Sequence, residues 1–144
     1  MKEVKHIKIT KDMKVSELIK EMQESGVMQA GKLALAVDIL EEMIKDKECK
    51  VFFGLAGAMV PGGMKQIIID LLNEKWIDVF VTTGATLTHD LGESLGYKHY
   101  QGNELMDDNE LRKKGYDRIY NALMPNDIYI KLESFIKENF DELS

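Results

Sequence analysis

Over residues 4–9, apolar Val4, Ile7 and Ile9 are set among Lys5, His6 and Lys8, which predicts a short strand or extended arm. Two amphipathic helices follow. Val15, Leu18, Ile19 and Met22 recur at helical spacing after a cap at Thr10 or Asp12, and Gly26 stops the run. The second helix spans about Ala30 to Lys45, with Leu33, Val37, Leu40 and Ile44 on one stripe. At Val51-Phe52-Phe53-Gly54-Leu55 the period changes to a short apolar run rich in β-formers, the pattern of a buried parallel strand. After the loop Ala56 to Gly63, a helix carries Met64, Ile67, Ile68, Leu71 and Leu72. Ile77 to Thr83 then reads as a second strand, Gly84-Ala85-Thr86 as a turn and Thr88 to Leu95 as another helix. This βαβα order predicts an α/β fold built on a parallel sheet flanked by helices.

The tail reads as helical. Tyr97 to Met106 is expected to be loop, Asp107 or Asp108 to cap a helix from Asn109 to Leu123, and Pro125-Asn126 to start a last helix with Ile128, Leu132, Phe135 and Ile136. No repeat or linker divides the chain, so a single domain over residues 1–144 is expected. It comprises a helical region at about 1–48, the βαβα unit at about 49–96 and a helical tail at about 97–144. Two strands and an arm are a meagre sheet for an α/β domain.

Composition narrows the chemistry. The 144 residues carry a net charge of −6, which argues against a nucleic-acid partner, because affinity for phosphate chains comes from clustered Lys and Arg. No run approaches membrane-spanning length, so no membrane partner is expected. Cys49 alone allows neither a disulfide framework nor a thiolate zinc cluster. The charged N-terminus has no apolar h-region, and the cytoplasm is the expected compartment. His6, His89 and His99 show no metal-ligand spacing, so no metal is expected.

Ligands of open parallel sheets bind beyond the carboxyl ends of the strands, and both loops there are rich in small residues. The first runs from Gly54 to Gly63 and the second from Thr82 to Asp90. Small residues let a ligand approach the backbone, and first-turn amides of the following helices carry partial positive charge, which suits a pyrophosphate. The first loop is neither G-x-G-x-x-G nor a P-loop, and Gly57, Gly62 and Gly63 could equally serve a turn and close helix packing. A second such loop favours a ligand. His89 would project near the mouth of the crevice, where an imidazole could bind a polyamine or ribose. Alternatively, Thr88 caps the helix, Asp90 complements its dipole and His89 is a partly exposed polar residue.

These loops resemble the deoxyhypusine synthase family, archaeal and bacterial members above all. The resemblance is carried by Val51-Phe52-Phe53-Gly54-Leu55-Ala56-Gly57-Ala58-Met59-Val60-Pro61-Gly62-Gly63-Met64 and by Ile77 to Leu91, which includes Thr82-Thr83-Gly84-Ala85-Thr86-Leu87-Thr88-His89-Asp90. It continues through Gly96 to Tyr100, Leu111 to Asn121 and Pro125-Asn126, with Met13 to Ala30 similar to the family's N-terminal helical region. The resemblance implies a Rossmann-like fold, a homotetramer of two tight dimers, and NAD and spermidine bound at the dimer interface. In the implied reaction spermidine is oxidised with NAD, and its aminobutyl group passes to an enzyme lysine. It passes next to a lysine of a translation factor precursor, and the imine is reduced to deoxyhypusine.

Carried over by position, Gly57, Ala58, Met59, Val60 and Pro61 match the first NAD-contacting loop and Thr83, Gly84 and Ala85 the second. Thr88 and His89 match positions near NAD and spermidine. Two departures stand out. Ala56-Gly57-Ala58 replaces a Thr-Ser-Asn of eukaryotic members, and His89 replaces a glutamate, so an acidic anchor for a cationic substrate is missing there. The family's nucleophilic lysine, in a Trp-Gly-Lys context, has no counterpart: Trp76 is followed by Ile77. No catalytic residue is therefore assigned. The resemblance is to the N-terminal half of a truncated family fold, expected to be inactive without a lysine-bearing C-terminal half and to form a homo-oligomer or a complex with that half. The alternatives are a non-catalytic oligomeric binding or regulatory module, and part of a homospermidine synthase-like enzyme acting on a small amine.

Overall fold

The computed structural model describes residues 1–143. The chain divides into two compact units, Met1–Val51 and Phe52–Ser144.

The first unit is a helical hairpin, α1 (Val15–Ser25) and α2 (Met28–Lys45). α1 starts later than the sequence suggests. Neither Thr10 nor Asp12 caps it; Lys14 occupies the cap position, and the Glu17 carboxylate accepts from the Lys14 amide at 2.8 Å. Gly26 ends α1 in the left-handed region at φ 68°, which favours glycine. Gly31 permits the tight return, since a Cβ on it would lie 2.6 Å from the Gly26 carbonyl carbon. Residues 4–9 form no strand: they run as an arm beside α1, with Lys5 paired to Glu24 and the Lys8 amide donating to Glu21 at 3.0 Å.

The second unit opens with β1 (Phe52–Leu55). A short helical turn at Gly57–Met59 and a wider one at Val60–Met64 lead into α3 (Lys65–Asn73). β2 (Val79–Thr82) returns parallel to β1, in register from Phe52↔Val79 to Leu55↔Thr82, and α4 (Gly84–Ser94) follows at once. The predicted Gly84-Ala85-Thr86 turn is the first turn of this helix. One face of the pair carries Phe53 and Phe80, stacked with centroids 6.1 Å apart. The opposite face is open, with Phe52 69% and Val81 56% exposed. The expected flanked parallel sheet is thus a two-stranded pair covered on one side.

The tail corrects the all-helical expectation. β3 (Tyr100–Gln101) lies inside the predicted loop. α5 (Asp108–Lys113) is short, and β4 (Tyr116–Ile119) and β5 (Ala122–Pro125) replace the rest of the predicted helix. The three strands form an antiparallel sheet in the order β3-β5-β4. Asp107 caps α5, accepting from the Asn109 and Glu110 amides. Gly115 at φ 79° ends it, and Tyr120 at φ 54° reverses the chain between β4 and β5. A helix here would need both residues in the right-handed region. Pro125 closes β5, and the last helices are α6 (Ile128–Glu138) and α7 (Phe140–Leu143). Met124, Ile128 and Leu132 form the buried core of this unit, with Leu91, Tyr97 and Ile119 packed around them. Among the described residues no helix is long and apolar enough to cross a membrane.

Candidate functional site

The parallel register brings the carboxyl ends of β1 and β2 together, so the loop after each strand emerges beside the other. The Thr82 hydroxyl donates to the Leu55 carbonyl at 3.1 Å across this end. Beyond it the loops touch. A Cβ on Gly57 would lie 2.5 Å from the Ala85 Cβ and 3.1 Å from its carbonyl carbon, so only a residue without a side chain allows the approach. Gly57 and Val60 are buried, Ala58 and Met59 exposed and Pro61 half-buried. In the second loop Thr83, Gly84 and Ala85 are exposed and Thr88 is half-buried.

Thr88 does not cap α4. Thr83 holds the cap position without a side-chain capping bond, and the Thr88 hydroxyl donates back to the Gly84 carbonyl at 3.0 Å. The first helical bond at this end runs from the Thr86 amide to the Thr83 carbonyl at 3.0 Å. The Gly84 and Ala85 amides stand ahead of it, at the positive end of the helix. Cβ atoms built on Gly62 and Gly84 would meet nothing within 4 Å, and neither residue lies in the left-handed region. Neither packing nor backbone conformation therefore requires glycine at these two positions, and the space beside them is open. Thr86 is 5% exposed, and its Oγ1 is a buried polar atom without a partner.

Two clefts flank this crest. A polar cavity of about 400 Å³ lies between Pro61-Gly62-Gly63 and the segment His99 to Gly102, closed by Asn121 and Ala122. An apolar groove of about 640 Å³ runs between α4 and α6, from Gly84, Leu87 and Thr88 to Tyr129, Ile136 and Phe140.

His89 is placed differently from the sequence expectation. It does not project at the mouth as a partly exposed residue; it is 8% exposed and faces His99. His89 Nδ1 lies 3.1 Å from His99 Nε2, and His99 Nδ1 lies 2.8 Å from Glu93 Oε1. The other Glu93 oxygen is 3.4 Å from Lys65 Nζ, which also meets Asp90 at 2.7 Å. Burial, and then the His99 ring, hold the His89 imidazole below the usual histidine range, against the pull of Glu93. Burial also works to lower the Lys65 ammonium, but Asp90 and Glu93 outweigh it and leave Lys65 above the usual lysine range. Sequence reasoning missed His99, Glu93 and Lys65. The Glu93 to His99 spacing carries no helical signal, because the chain leaves α4 after Ser94 and turns back at Gly96, φ 96°. Among the described residues no group of three or more His, Cys, Asp or Glu side chains could hold a metal ion.

The chain belongs to the deoxyhypusine synthase family, whose model matches residues 17–144. It is 46% identical over 134 residues to a probable deoxyhypusine synthase of Methanosarcina thermophila, covering 93% of this chain and 42% of that protein. A probable deoxyhypusine synthase of Methanothermobacter thermautotrophicus is 43% identical over 132 residues, 92% of this chain and 41% of the relative. A deoxyhypusine synthase-like protein of Chlorobaculum tepidum is 44% identical over 125 residues, 86% of this chain and 35% of the relative. The chain spans about two fifths of the length of the curated relatives it matches.

Proposed function

We propose that this chain carries the NAD-contacting loops of a Rossmann-like, cytoplasmic deoxyhypusine synthase-type aminobutyl transferase. Its substrates would be spermidine or a related polyamine and a lysine of a translation factor precursor. The observation that carries this reading is the Gly57–Ala85 contact, which joins two small-residue loops at the carboxyl ends of parallel strands. The site fits NAD on two counts. The Gly84 and Ala85 amides offer donors to a phosphate at the start of α4, and the open space at Gly62 and Gly84 would admit the cofactor against the backbone. Thr83, Gly84 and Ala85 would hold one part of it, and Ala58, Met59 and Pro61 would line another. Gly57 and Val60, both buried, would shape the loop from beneath. NAD, when bound, supplies the hydride acceptor. Thr88 and His89 would stand toward the polyamine.

No lysine among these 144 residues has the Trp-Gly-Lys context of the family nucleophile, so the aminobutyl acceptor would come from a lysine-bearing segment beyond them. Oligomerisation is part of the proposal, supported by the exposed apolar residues of α2, Leu33, Leu35, Ile39, Leu40 and Ile44, and by the open face of β1 and β2.

Calorimetric titration with NAD and spectrophotometric NADH formation with spermidine test the proposal. They are made on the chain alone and on the chain co-expressed with a lysine-bearing segment of a relative. NAD binding in the complex, with spermidine turnover there and none by the chain alone, is expected. Turnover by the chain alone would sink the shared-site reading, and absence of NAD binding in both preparations would sink the cofactor assignment. The second reading, a homospermidine synthase-like enzyme, draws on His89 standing where eukaryotic members of the family carry glutamate. It is favoured if putrescine, rather than a protein lysine, accepts the aminobutyl group.

A further inference from the structure

We propose that His99 and Glu93 are positioning residues that fix the tautomer of His89, so that its Nε2 is an unprotonated hydrogen-bond acceptor for an N–H or O–H donor on a ligand. The argument follows the hydrogens. A carboxylate can only accept, so Glu93 Oε1 at 2.8 Å requires the proton of neutral His99 on Nδ1. That leaves His99 Nε2 as an acceptor, and at 3.1 Å its donor is His89 Nδ1–H. The proton of neutral His89 is then on Nδ1, and Nε2 carries a lone pair.

The anchor of this chain is firm. The Glu93 carboxylate is shared with the Lys65 ammonium, which Asp90 also holds, so α3 and α4 together fix it. The His99 side chain is only 6% exposed, which limits competition from water for its two bonds. His89 Nε2 has no hydrogen-bond partner among the described residues and is not sealed from solvent. The burial that disfavours a charged His89 also favours the neutral form the chain of bonds requires. An ammonium or secondary amine is a ligand class whose N–H groups can donate to an imidazole lone pair. That step, unlike the tautomer, rests on the polyamine reading above.

The test is long-range 1H–15N correlation spectroscopy of the uniformly 15N-labelled 144-residue chain at pH 7.5, with spermidine added, in a second arm, to the labelled chain in complex with a lysine-bearing segment of a relative. The expected result is His89 and His99 both protonated on Nδ1, with loss of that tautomer at His89 in His99→Phe, which keeps a ring in the same space. His89 protonated on Nε2 in the parent chain would overturn the proposal, and so would an unchanged His89 tautomer in a folded His99→Phe. The parent spectrum decides even if the variant does not fold. Movement of the His89 Nε2 resonance on adding spermidine supports the amine step. A fixed resonance with the expected tautomer leaves the positioning role standing and removes the amine as the ligand of His89.

Discussion

Gly57 and Ala85 meet so closely that a Cβ on the glycine would lie 2.5 Å from the alanine Cβ. The contact holds the loop after β1 against the first turn of α4, and it defines the crest of the candidate site. Gly57→Ala is expected to destabilise the second unit by about 1–3 kcal/mol, the usual range for overpacking a close contact. Removing the opposing methyl group in Gly57→Ala/Ala85→Gly should recover part of that loss, although the backbone of Ala85 remains 3.1 Å from the new Cβ. Urea denaturation of the two variants measures both effects. A Gly57→Ala chain as stable as the parent would mean that the loops are not held together as described.

Gly92 does the same work between helices. A Cβ there would lie 2.1 Å from Cδ1 and 2.9 Å from Cγ1 of Ile128, which is fully buried in the core. Alanine in mid-helix gains about 1 kcal/mol of propensity over glycine, against about 1–3 kcal/mol for overpacking. The clash should win, and Gly92→Ala should lower stability. Ile128→Val removes Cδ1, the nearer atom. Cγ1 remains 2.9 Å away, so in that background Gly92→Ala should still cost stability but less than in the parent, a coupling that a double-mutant cycle by urea denaturation reads directly.

The buried histidine pair predicts a pH dependence of stability. His89 has a folded-state pKa below its ordinary value of 6.5, so the unfolded chain binds the proton more readily. The stabilisation is fully present above about pH 6.5 and is lost as pH falls through the depressed folded value. Urea midpoints between pH 8 and 5 should therefore decline on the acid side, and His89→Gln should flatten the decline. An equally steep decline in His89→Gln would place the responsible group elsewhere.

Much of the site's frame was legible in the apolar runs. Val51 to Leu55 and Ile77 to Thr83 are short, rich in β-formers and followed by small residues, and both strands lie within them, shortened by one and three residues respectively. The tail departs from its sequence pattern, because Leu111, Ile119 and Leu123 satisfy a helical period that the backbone does not follow. Gly115 and Tyr120 adopt positive φ, and Tyr116 to Ile119 pair with Ala122 to Pro125 instead. Gly115 followed by Tyr-Asp-Arg-Ile was the available signal of helix end and strand start, and the apolar stripe masked it. The His89–His99 contact had no such signal. It spans ten residues and depends on the turn back at Gly96, a tertiary consequence that periodicity does not encode.

Gly84 separates a cofactor role from a structural one. It is the first residue of α4, and a Cβ built on it meets nothing within 4 Å, so the fold has no steric need for glycine there. Gly84→Ala should leave the urea midpoint unchanged or slightly raised, since alanine favours the helix. If a cofactor approaches the backbone at this position, the added methyl group occupies the space it needs, and NAD affinity of the complex should fall by roughly tenfold, about 1.4 kcal/mol. Gly57→Ala should show the opposite order, with stability falling first and affinity only as a consequence. Calorimetric titration beside denaturation curves tells the two apart. A Gly84→Ala complex that binds NAD like the parent would remove the start of α4 from the proposed cofactor site, whatever becomes of the Gly57 contact.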